Sequence, residues 1–223
     1  MILMYIIQLL QGQMTILEFV QFLVFSLIAI VLAITIHEWG HAFVSFLQGD
    51  KTAKYDGRLS LNPFKHLDKY GILMFLLFGF GWARPVNVRA SQYKKPRLGL
   101  ILTAASGPLS NFLLAFLVSP LLFWSLTMEG ILYSNLFLLF SLIFSYNMSL
   151  GLFNLIPVPP LDGSKILGEC LPLKYRLKYY GIERYGFMIA FGIVIILNQI
   201  GTFGFIEGKM LGAFMHIWAP LFR

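Results

Sequence analysis

Two histidines four residues apart, His37 and His41, stand with Glu38 near the end of a long apolar run, and no other feature limits this chain as much. No Asp, Glu, Lys or Arg occurs between Glu18 and Glu38, and Phe22 to Ala33 is lipid-like throughout. On a helix, residues four apart share one face about a turn apart, so both imidazoles of His37-Glu38-Trp39-Gly40-His41 can reach one Zn²⁺. The intervening Glu38 can then take a proton from a water that the metal activates. A five-letter pattern with three fixed positions also arises by chance in soluble chains. Inside an apolar span, however, ionisable groups are costly and usually mark function, which favours a hydrolytic metal site at membrane depth.

Composition agrees with a membrane setting. Of 223 residues, 58% are hydrophobic and only 12% charged, as expected for a polytopic membrane protein of one compact domain, residues 1–223. The single cysteine, Cys170, excludes an intramolecular disulfide and a multi-thiolate zinc cage. A net charge of +7 could suggest nucleic acid, but fifteen of the 17 basic residues fall in three connections between apolar runs. These connections are Lys51 to Lys69, Arg84 to Arg97, and Lys165 to Arg184, so the charge sets orientation and no nucleic-acid partner is expected. All three should lie on the cytoplasmic side, with the basic-free first twenty residues and the turn near Glu129 outside. Without a basic n-region or small-residue cleavage site, no removable signal peptide is expected.

In chain order, Met1 to Leu10 is too short to span and reads as an interfacial or re-entrant piece. Glu18 to about Leu47 is a first spanning helix, with the histidines in its last third. Tyr55 to Leu61 could be a short strand after which Asn62-Pro63 turns. Gly71 to Trp82 is apolar but too short for a helical crossing, which favours a re-entrant, β-like hairpin returning through Ala83-Arg84-Pro85-Val86. Leu98 to Leu126 and Ile131 to Ile156 should span. The small residues of Ala104 to Asn111 in the former suit close helix packing, with direct substrate contact as the alternative. Lys165 to Tyr180 resembles a membrane-surface segment. Tyr185 to about Ile200 should cross again, whereas Phe203 to Phe222 is interrupted by Glu207-Gly208-Lys209. The expected fold is an all-α bundle of about four to six transmembrane helices with one short re-entrant β-like segment.

Asn154 to Gly163 carries three prolines and then Asp162-Gly163. Taken alone, this is a surface turn in which Asp162 caps the next helix. Two histidines, though, leave a catalytic zinc one protein ligand short, and a carboxylate commonly supplies it. Asp162 is expected at the same cytoplasmic-side depth as His37 and His41. His66 is expected as a solvated loop residue, and His216 as a packed or interfacial one.

These pieces resemble the site-2 protease family of intramembrane zinc metalloproteases. The matching stretches are His37-Glu38-Trp39-Gly40-His41, Gly107-Pro108-Leu109-Ser110-Asn111, and Asn154 through Asp162-Gly163. Asn62-Pro63 and Gly81 to Val86 are similar to the small bacterial and archaeal members. The resemblance implies one zinc per chain held by His37, His41 and Asp162, with Glu38 as general base. It also implies Asn154 as a polar group near the scissile carbonyl. The substrate would be a transmembrane protein, and the enzyme a multi-pass protein of the cell membrane, in contact with the lipid bilayer and with its site towards the cytoplasm. The spacing leaves no room for the PDZ insertion or CBS domain of some members. The competing expectation is a non-catalytic membrane zinc-binding protein or transporter. A transporter would be expected to place further ligands along a path through several spans, and would not need Glu38.

Overall fold

The computed structural model describes residues 2–78 and 81–222. It is an all-α membrane protein built on three long apolar helices. α1 (Ile2–Leu10) leads by a turn at Gly12 into α2 (Ile16–Leu47). Thr15 caps α2: its hydroxyl accepts from Glu18 N at 3.2 Å, while the Glu18 carboxylate accepts from Thr15 N at 2.7 Å. Two orphan amides at the helix start are thereby satisfied. α2 ends where Gly49 adopts φ +105°, a conformation that suits glycine alone.

Short α3 (Thr52–Tyr55) and α4 (Lys69–Phe78) follow, then α5 (Pro96–Leu126) and α6 (Ile131–Asn154). Pro96 opens α5, where its missing N–H costs nothing. Helices α2, α5 and α6 pack mutually around Phe22, Ala29, Ala33, Val118, Leu142, Ile143 and Tyr146. At 32, 31 and 24 residues, these three are long and apolar enough to cross a membrane. Close approach of α2 and α5 depends on Gly40, because a Cβ there would press on Ser110 and lie 2.8 Å from the Ser106 carbonyl.

After the prolines come α7 (Asp162–Cys170), α8 (Leu173–Tyr180), α9 (Glu183–Gln199) and α10 (Thr202–Trp218). α8 and residues 183–197 of α9 meet at a 73° bend and make a fourth span if counted together. The stretch Glu207-Gly208-Lys209, with its two charges and a glycine, does not break α10. Instead Glu207 turns to the hydroxyls of Ser145 and Ser149 on α6, and the helix continues.

Two local expectations are corrected. Tyr55 to Leu61 is not a strand: α3 ends at Tyr55 and the chain turns at Gly57, φ +68°. The apolar stretch expected to be β-like is helical over Lys69–Phe78, because an unalternating apolar run with no partner strand among the described residues satisfies its amides best within itself. Gly79 and Phe80, where that hairpin would turn, lie outside the described residues, as does Met1. The return is extended and its main chain rests on Gly71, with an antiparallel bridge, Leu67 to Ala83, at the base.

Candidate metal centre

Helical periodicity carries His37 and His41 to the face of α2 that packs on α5, where both are buried. Asp162 arrives at the start of α7, after the third long helix. The prolines end the path out of α6, and Gly163 lets the first turn of α7 close on the carbonyls of Leu155 and Ile156, where any Cβ would collide. Asp162 Oδ2 consequently lies 3.1 Å from His37 Nε2 and 3.0 Å from His41 Nε2, and the two imidazole nitrogens are 3.1 Å apart. Lys165 Nζ donates to the other carboxylate oxygen at 2.9 Å.

This triangle fits a metal ion. Three ligands about 2.0–2.1 Å from a tetrahedral zinc stand roughly 3.3 Å apart, close to the edges observed. The outer nitrogens are engaged as well: His41 Nδ1 lies 2.7 Å from the Thr103 carbonyl, and His37 Nδ1 2.7 Å from Asn111 Oδ1. A carbonyl can only accept, so His41 Nδ1 carries a proton, and in the neutral imidazole Nε2 then turns a lone pair inward. With His37 in the same tautomer, the triangle consists of two imidazole lone pairs and a carboxylate oxygen, which repel one another until a cation joins them. Gly107 completes the cradle, since a Cβ there would sit 2.5 Å from His41 Nε2 and 2.8 Å from His37 Cε1.

Glu38 is buried in the same turn of α2, and its Oε2 accepts the Val86 amide at 3.0 Å. Residues Ala83 to Val86 are therefore tied down beside the cluster, in part by Arg84 N donating to the His66 carbonyl. Contrary to expectation, His66 is fully buried, with Nε2 2.7 Å from the Ser60 carbonyl, because it anchors this return. His216 is exposed on α10. Asn154 directs its amide along its own helix, donating to the Leu150 carbonyl at 3.0 Å.

Three participants escaped the reading of the sequence. Thr103 acts through a main-chain carbonyl, which leaves no trace in residue identity. Gly107 and Asn111 belong to a stretch read as packing, although an asparagine four residues after a glycine in an apolar span is a usable signal.

Comparison with known proteins agrees with this geometry. The family model described as "Peptidase family M50" matches residues 25–133 and 126–197. The chain is 40% identical over 183 residues to "Putative zinc metalloprotease YwhC" of Bacillus subtilis, covering 80% of this chain and 83% of that protein. It is 27% identical over 174 residues to "Putative zinc metalloprotease Rip2" of Mycolicibacterium smegmatis, covering 75% of this chain and 64% of that one. No solved structure matches.

Proposed function

This chain is a member of peptidase family M50, the site-2 protease family, and from that premise we propose that it hydrolyses peptide bonds of transmembrane protein substrates within or beside the bilayer. It is thus a zinc metalloprotease and an integral membrane protein by family. The finer reading of the mechanism rests on one observation: His37 and His41 on α2 and Asp162 at the start of α7 converge at 3.0–3.1 Å.

His37, His41 and Asp162 would hold one zinc ion. When bound there, zinc lowers the pKa of water towards neutrality and polarises a carbonyl oxygen. Glu38 takes the proton of the attacking water and returns it to the leaving amine. Val86 holds one oxygen of Glu38 through its amide, which leaves the other for proton transfer. Asn154, after turning from the Leu150 carbonyl, would steady the scissile carbonyl. A helical substrate hides its carbonyls in its own hydrogen bonds, so part of it must unwind before attack.

The basic connections favour a cytoplasmic-side site in the cell membrane. The α2 segment after His41 runs into the first of them. The test is reconstituted protein given a single-span substrate and an unfolded soluble one. Cleavage near the span that stops with a chelator and returns with zinc is expected; chelator-resistant cleavage, or cleavage of the soluble chain alone, would refute the reading.

A further inference from the structure

His37 and His41 offer the same nitrogen to the cluster, but different groups make them do so. For His41 the group is the Thr103 carbonyl, a main-chain acceptor that no substitution removes. For His37 it is the side chain of Asn111, and an amide has two unlike ends. An oxygen facing Nδ1 puts the proton there and, in the neutral ring, leaves Nε2 as a lone pair. An NH₂ facing Nδ1 would do the reverse and put a proton on Nε2, between the ligands.

The hydrogen bonds beyond Asn111 choose between these ends. Asn147 Nδ2 donates to the Ile143 carbonyl at 2.8 Å, which turns Asn147 Oδ1 towards Asn111. Asn111 Nδ2 donates to that oxygen at 2.8 Å and to the Ala33 carbonyl at 2.9 Å. Its Oδ1 is left for His37 Nδ1 at 2.7 Å. Both carbonyls at the end of this chain can only accept, so every link has one direction. Both asparagines have 0% exposure, so no solvent competes.

We propose that Asn111 is a positioning residue for the metal site, locked by Asn147, and that the pair fixes the tautomer of His37 so that Nε2 is free for the ion. The proposal rests on the zinc-site reading above. The relay touches α2, α5 and α6, so docking the three helices also sets the protonation of a ligand. An asparagine pair inside three apolar helices is costly unless each polar atom is used, and here each one is.

The experiment measures zinc affinity of the purified full chain by competition with a chromophoric chelator, together with thermal unfolding of the metal-free protein. Asn111→Ala should weaken zinc roughly 10- to 100-fold, the range seen when a partner of a metal-bound histidine is lost. Asn111→Asp keeps an acceptor for His37 while losing both donors, and should bind zinc within about threefold of wild type even if its unfolding temperature falls. Asn147→Ala, which removes the partner that orients the Asn111 amide, should weaken zinc by more than about threefold but less than Asn111→Ala does, and an unchanged affinity would remove Asn147 from the relay. Zinc binding by Asn111→Ala within threefold of wild type would overturn the proposal, as would equal losses in Asn111→Ala and Asn111→Asp. If Asn111→Ala does not fold, NMR of isotope-labelled histidine in the cadmium-substituted wild type decides. Metal coupling at His37 Nε2 with a slowly exchanging Nδ1 proton is expected, and coupling at Nδ1 would overturn it. A wild type that binds no zinc would instead remove the metal site itself.

Discussion

Asp162 and Glu207 are both carboxylates set into largely apolar surroundings, and their neighbours give them different work. Asp162 meets two imidazole nitrogens at 3.0–3.1 Å, and with each neutral ring protonated on its outer nitrogen the inward atoms all offer lone pairs. Glu207, in a cavity of about 380 Å³ walled by Leu122, Phe144, Leu211 and Met215, accepts hydroxyls from Ser149 at 2.6 Å and Ser145 at 3.2 Å. Hydroxyl donors satisfy a carboxyl group without a metal. Burial alone thus does not mark a site; what matters is whether the neighbours give protons or lone pairs.

The sharpest way to break this contrast is to crowd each region with one methyl group. Gly107→Ala would force a Cβ against both imidazoles and should abolish zinc binding and cleavage, whereas Gly208→Ala, beside Glu207, meets nothing within 4 Å and should leave both intact. Metal analysis with a cleavage assay reads both variants, and a zinc-loaded Gly107→Ala would disprove the cradle. Next in size, Asp162→Ala should lose the metal, and with it at least about a hundredfold in rate. Glu207→Ala should keep one zinc and lose about 1–3 kcal/mol of stability through two orphaned serine hydroxyls, with Glu207→Gln milder. Zinc loss from the Glu207 variants would erase the distinction.

Asp50 supplies the smallest test. It is buried at the end of α2 and accepts only from donors: Arg89 N at 2.6 Å, Thr52 N at 2.9 Å and the Ser45 hydroxyl at 3.1 Å. Burial pushes its pKa up, but these hydrogen bonds outweigh it and hold the carboxyl below its ordinary value. Its contribution to stability should therefore be complete above the ordinary pKa of about 3.9 and fade as pH falls through the lower folded value. Asp50→Asn should cost about 1 kcal/mol at neutral pH and flatten that acid limb in thermal unfolding, with zinc content unchanged. An unchanged acid limb would show that Asp50 is not held as described.

What could be read in the residues divides along physical lines. The imidazole pair was legible because helical spacing alone puts positions 37 and 41 on one face, and Asp162 because zinc chemistry asks for a third protein ligand. The three long spans followed from length and apolarity. The stretch from Gly71 was misread because a short apolar run does not distinguish strand from helix. His66 looked solvated since nothing local shows that the return from α4 will cover it. The Asn111 to Asn147 relay depends on where α5 and α6 dock, and the Thr103 carbonyl is a group every residue has. Partners distant in the chain, or made of backbone, leave little mark on residue type.

The central claim is that Glu38 moves the proton at a zinc held by the neighbouring side chains. Its most direct test is Glu38→Gln in detergent, with zinc content and cleavage of a single-span substrate measured on the same sample. The account predicts about one zinc per chain and a rate lowered by roughly 10²–10⁴-fold, the usual contribution of a general base. A variant that keeps its zinc and cleaves within tenfold of the wild type would contradict it.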